Sequence, residues 1–145
     1  MKKFLLFALL SVVGLGLWSC SDDDDWQPVS YDSLPAQAMQ YIDDYCGGLS
    51  IYNVEYDDGY YEVTFTSGLE IEFNSAGQWV QVDAPFGAAV PDGFVPFPIQ
   101  DYVDSYYPMA SVNEISRQAY GYEVELTNGY EIDFGPDGSV LSPMM

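Results

Sequence analysis

The side chains able to do chemistry in this chain are almost all carboxylates. It carries 23 Asp and Glu against three Lys and Arg, with no histidine and two cysteines. Nucleophilic hydrolysis needs a Ser or Cys activated by a base. Without histidine, and with no Ser–Lys pair beyond the leader, that route is closed. Zinc sites draw on Cys and His, and these are missing or few. A pair of carboxylates could serve glycoside hydrolysis, but among so many acids two neighbours carry little information. Asp57-Asp58-Gly59 and Pro136-Asp137-Gly138 suggest calcium only weakly. Neither follows the EF-hand spacing, and Asp and Gly are what turns use. The expectation is therefore no enzyme, no cofactor and no metal site.

The acids are informative through their pattern. Tyr61, Val63 and Phe65 alternate with Glu62, Thr64 and Thr66, and Leu69, Ile71 and Phe73 alternate with Glu70 and Glu72. Such alternation marks half-buried strands. Thr66-Ser67-Gly68 between them has the form of a three-residue hairpin loop ending in a residue with positive φ, which glycine adopts without steric cost. The same arrangement returns at Tyr122 to Phe134, 61 positions on, with Thr127-Asn128-Gly129 as its loop. This loop length sets the register: Val63 faces Ile71 inside, and Glu62 faces Glu72 outside. By the same count Glu123 faces Asp133 and Glu125 faces Glu131. Glu62, Glu70, Glu72, Glu123, Glu125, Glu131 and Asp133 form a candidate binding face, with Arg117 the one cation available to relieve it. Two readings stand side by side: a solvated surface kept soluble and unpaired by repulsion, or a platform for a cationic partner.

The elements that must hold these strands recur at the same offset. Leu34-Pro35 matches Val95-Pro96, Tyr41-Ile42-Asp43 matches Tyr102-Val103-Asp104, and Gly77 matches Gly138. Ala38, Ile42 and Tyr45 share one helical stripe, as do Ile99, Val103 and Tyr106, so Tyr45 and Tyr106 are expected to point inward, with Tyr61 and Tyr122. Pro35 and Pro96 suit the first helical turn, and Gly47-Gly48 reads as a helix stop. Each unit reads as helix, strand, hairpin pair, turn and strand. The expected organisation is a leader over 1–19, an acidic tether over 20–33, unit one over 34–83, a Pro- and Gly-rich linker over 84–94 and unit two over 95–145.

Lys2-Lys3 and the apolar run from Phe4 to Trp18 form a signal peptide rather than a span of the final protein. Leu17-Trp18-Ser19-Cys20 resembles a lipobox, which implies acylation of Cys20 and a membrane anchor. Ser21-Asp22-Asp23-Asp24-Asp25 resembles the export signal that carries Bacteroidetes-type lipoproteins to the outer face of the outer membrane. The expected address is therefore an outer-membrane lipoprotein, surface-exposed or else periplasm-facing. With Cys20 lipidated, Cys46 has no intramolecular disulfide partner. Arg117 is then the only cation of the mature chain, which excludes nucleic acid as a partner because nothing would neutralise phosphates.

Pro35, Tyr41-Ile42-Asp43, Tyr45, Tyr61-Glu62-Val63, Gly68, Glu70-Ile71, Phe73 and Gly77, repeated from Pro96 to Gly138, resemble the PepSY-like, β-lactamase-inhibitor-like domain of secreted bacterial proteins. The resemblance implies an α+β fold of two tandem helix-plus-antiparallel-sheet units, with helices on one face and the other sheet face open. It further implies a binding module for a protein or peptide, with enzyme inhibition as one outcome. The alternative is a non-inhibitory surface protein that binds a glycan, a peptide or Ca²⁺. The motif consists mostly of core and turn residues, so it speaks to fold more than to activity.

The address carries its own test. Cys20→Ala should abolish uptake of labelled palmitate and release the protein from membranes. Changing Asp22 through Asp25 to Ala should keep lipidation and lose surface labelling. A wild-type chain that takes up no palmitate refutes the lipoprotein reading.

Overall fold

The computed structural model describes residues 26–143; the leader, Cys20 and the acidic run lie outside them. Among the described residues the chain builds one antiparallel sheet of nine strands in sequence order, with two α-helices. The strands are β1 (Gln27–Val29), β2 (Ile51–Asp57), β3 (Tyr60–Phe65), β4 (Glu70–Phe73), β5 (Trp79–Asp83), β6 (Val112–Gln118), β7 (Gly121–Leu126), β8 (Glu131–Phe134) and β9 (Val140–Pro143). Helix α1 (Ala36–Tyr45) lies between β1 and β2, and α2 (Phe97–Tyr106) between β5 and β6. The α+β class read from the sequence is the observed one. Every element from α1 to β4 recurs 61 positions later with the same bounds. β5 pairs directly with β6, so both sets of elements share a single sheet.

The hairpins obey the register that their loops dictate. Glu62 pairs with Glu72, Val63 with Ile71 and Thr64 with Glu70; Glu123 pairs with Asp133, Val124 with Ile132 and Glu125 with Glu131. Gly68 and Gly129 close these loops at φ of 102° and 94°, and their amides donate to Phe65 and Leu126 oxygens at 2.9 Å. The β2–β3 turn has Asp58 and Gly59 both at positive φ, the twist-compatible form for a two-residue hairpin.

Both helices cover one face. Ala38, Ile42, Ile99 and Val103 join Val54, Val63, Ile71, Val82, Ile115, Val124 and Ile132 in a single buried core. Tyr41 packs on Phe73 with ring centroids 6.4 Å apart, and Tyr102 meets Phe134 edge-on at 5.7 Å. The turns after β4 and β8 run close to the helix starts. A methyl group on Gly77 would lie 2.9 Å from the Ala38 amide nitrogen, and one on Gly138 would lie 2.6 Å from Pro98 Cβ. Pro35 and Pro96 are N-caps in extended conformation, where no amide donor is required.

One expectation is corrected here. Tyr45 and Tyr106 are exposed rather than inward. Ala38 and Ile42, like Ile99 and Val103, are buried, but each helix ends at its tyrosine. At that end buried Cys46 takes the inward place just after α1, and half-buried Tyr107 takes it after α2. The Tyr45 ring instead lies over Gly93, whose missing side chain makes room for it, and against Phe94. Tyr106 stacks on Tyr102 at 4.6 Å. The first helix does stop just before Gly47-Gly48, as expected, although neither glycine has positive φ.

Gly68 and Gly129 differ in one respect. A methyl on Gly68 would meet Pro85 Cβ and Cγ at 3.3 Å, whereas nothing lies within 4 Å of one on Gly129. Gly129→Ala should cost roughly 1–2 kcal/mol for the backbone alone, and Gly68→Ala should cost more. Gly68→Val should cost the most, because β-branching is worst at positive φ. Urea unfolding of the three variants checks this order; equal losses for the two alanines would mean that the Pro85 contact bears nothing.

Candidate functional site

The candidate site is the sheet face opposite the helices. Strand alternation places there every residue that flanks the buried row from Val54 to Ile132. Across β2 to β8 the registers align Glu55, Glu62, Glu72, Gln81, Ser116, Glu123 and Asp133 in one row. Asn53, Thr64, Glu70, Asp83, Glu114, Glu125 and Glu131 form the next. All seven acids expected on this face are on it, and all are partly buried. Glu55, Asp83 and Glu114 belong with them. The β5–β6 pairing that brings the two halves together is set by no hairpin loop, so the meeting of Asp83 with Glu114 was not readable.

The face is not uniformly open. Glu114 and Ser116, at the middle of the sheet, are 0% and 4% exposed. Gln81 Nε2 donates to Glu114 Oε2 at 2.7 Å, and Gln118 Nε2 donates to Ser116 Oγ at 3.0 Å. At the margin Tyr120 donates its hydroxyl to Asp133 Oδ1 at 2.9 Å, and burial first, then this bond, raises the phenol pKa.

The electrostatic load falls on β3 and β4. Burial first, then the charges of Glu70, Glu72, Glu55 and Asp83, push the Glu62 carboxyl up to about 7. Burial and the charges of Glu114 and Glu55 raise Glu70; burial and Asp57 raise Glu72. Arg117, expected to offset the acids, belongs to the other face. It follows Ile115 by two positions, pairs with Tyr122 and stacks 4.1 Å from the Trp79 ring centre. Its Nε donates to the Trp79 carbonyl at 2.8 Å. The described residues include no lysine and no other arginine. Among them, no group of three or more His, Cys, Asp or Glu side chains is placed to hold a metal ion. Cys46 is buried, and burial pushes its thiol up to about 11, which removes it as a nucleophile at neutral pH.

The family described as "Putative beta-lactamase-inhibitor-like, PepSY-like" matches residues 59–142. This chain belongs to the PepSY-like family. Three solved structures share its fold. A Bacteroides thetaiotaomicron protein described as a "putative calcium-regulated periplasmic protein" is 31% identical, with 84% of this chain and 98% of that one covered and a TM-score of 0.79. A Bacteroides vulgatus periplasmic protein of the DUF2874 family is 32% identical over the same shares, at 0.76. Another B. vulgatus periplasmic protein, of unknown function, is 29% identical over 80% of this chain and 95% of that one, at 0.73. None of the curated proteins matches significantly. The description of these neighbours as periplasmic agrees with the envelope address read from the leader.

The raised carboxyls fix the sign of a pH effect. Glu62 has a folded value of about 7 against an ordinary 4.5, so between these values the folded state binds more protons than the unfolded one. Stability is then greatest below the unfolded value and falls as pH rises through about 7. The melting temperature should drop by several degrees from about pH 5 to about pH 8. Glu62→Gln should flatten the profile mainly by raising the high-pH end, and unchanged curvature in that variant would refute the assignment.

Proposed function

We propose that this PepSY-like chain is a cell-envelope lipoprotein, anchored through Cys20 and displayed outside the outer membrane, whose acidic sheet face holds a cationic protein or peptide. We read the constant offset between its elements as two PepSY-like units in tandem. The observation that carries the binding reading is the pair of acidic rows crossing β2 to β8 on the face away from the helices. Like charges directly opposite across strands destabilise a sheet, and burial adds to that at Glu62. A basic partner would relieve both, and the concentrated field would speed its approach. Where that partner is an enzyme and the face covers its active site, the result is inhibition. A single specific observation favours a second reading, that Ca²⁺ binds here: one structural neighbour carries "calcium-regulated" in its description.

The test uses the mature chain as bait in envelope extracts, followed by binding kinetics with each purified partner at several salt concentrations. The association rate should fall steeply with salt. Changing Glu62, Glu72, Glu123, Glu125, Glu131 and Asp133 together to Gln should weaken binding tenfold or more and raise stability at low salt. Equal binding by that variant would leave the face merely solvated. Titration with CaCl₂ separates the second reading: heat of binding that is lost in the Gln variant, without a protein partner, would favour calcium.

A further inference from the structure

The segment joining β5 to α2 holds an aromatic side chain entirely in water on a backbone that is tightly fixed. Phe86 is 99% exposed. Isolated apolar residues on a surface are ordinary; what sets this one apart is the turn beneath it. Asn113, at the bulge of β6, donates its side-chain amide to the carbonyls of Ala84 (3.3 Å), Pro85 (2.9 Å) and Ala88 (2.8 Å). Backbone bonds from Ala84 to Asn113, from Ala88 to Pro85 and from Val90 to Val112, each 2.9 Å, brace both limbs. Gly87 completes the reversal at φ 80°, and Pro85 packs beside Gly68 of the neighbouring hairpin loop. In the other set of elements the residue corresponding to Asn113 is Tyr52, which is exposed, so this brace is particular to the one turn.

We infer that the turn Pro85–Ala88 is a preorganised anchor that inserts Phe86 into an apolar pocket of a protein partner whose rim is basic. A fixed turn loses little conformational freedom on binding, which is where an anchor gains affinity, and buried aromatics dominate interface energetics. The basic rim follows from position. The turn starts two residues after Asp83, which pairs with Glu70 and Glu114, so a partner over Phe86 also meets the middle of an acidic row. The same charge repels an anionic lipid surface. Met109, 96% exposed and in the loop leading into β6, emerges at this end of the sheet as well. The inference rests on the reading of the acidic face as a protein-binding surface and names its anchor.

The experiment places a photoreactive benzoylphenylalanine at position 86 of the full chain in the producing cell. Irradiation should yield a protein adduct mapped to apolar residues beside Lys or Arg. The partner so identified, once purified, should bind Phe86→Ala about thirtyfold more weakly than wild type at unchanged melting temperature. Phe86→Trp should retain binding, and Asn113→Ala, which frees the turn, should lose less than Phe86→Ala. Adducts with lipid, with a second copy of this chain or with no molecule would overturn the inference, as would equal binding by Phe86→Ala. If the Gln variant of the face loses the partner and Phe86→Ala keeps it, the anchor fails and the acidic face stands. If both bind as wild type does, both fail.

Discussion

The structure depends on one row of β-branched side chains. Val54, Val63, Ile71, Val82, Ile115, Val124 and Ile132 stand opposite one another in unbroken succession across β2 to β8, and none is more than 4% exposed. Side chains in a strand alternate strictly, so a slip of one residue anywhere would send valine and isoleucine into water and carboxylates under the helices. The core therefore fixes the register. Once it is fixed, the acids on either side of the row have no freedom left: they must line up on the opposite face. The charge pattern is the reverse side of the packing pattern.

That coupling explains why much of the fold was legible. The β3–β4 and β7–β8 loops are each three residues long and end in glycine, so alternation plus loop length gave the pairing of Glu62 with Glu72 and of Glu123 with Asp133. Legibility stopped where pairing is not set by a short loop. The junction of β5 and β6 brings Asp83 opposite Glu114 across residues 84–111, and no local signal announces it. The helical stripe misled at its ends because periodicity ignores where a helix stops, so Tyr45 and Tyr106 were assigned inward. Arg117 was misplaced for want of its strand register; two positions from Ile115, it shares the helix-covered side. The brace at Asn113 had one visible trace, a departure from the repeat where Tyr52 stands in the other copy.

The placement of Arg117 sharpens the electrostatics. The one cation among the described residues is occupied with the Trp79 and Tyr122 rings and the Trp79 carbonyl, in an arrangement that suits a weakly hydrated planar guanidinium. It serves packing, and among the described residues no lysine or arginine lies on the face of the acidic rows. The half-buried carboxyl of Glu62 answers partly by holding its proton to a higher pH. The fold thus tolerates an electrostatic cost on one surface, while the hydrophobic burial beneath it sets the register that creates that cost.

Strand order has a further consequence, for the time course of assembly. Each of the eight pairings joins strands that are consecutive along the chain. The pairings within β2 to β5, and within β6 to β9, close short turns, so little chain entropy is lost at each step. Only β1–β2 and β5–β6 must wait for a helix to fold between them. Such a chain can build its two hairpin stacks separately, each from local contacts of the kind associated with fast folding, and complete the sheet by docking β5 on β6. Until that docking both strands are bare sheet edges, so the interval before it is when the chain is most open to pairing with a stranger.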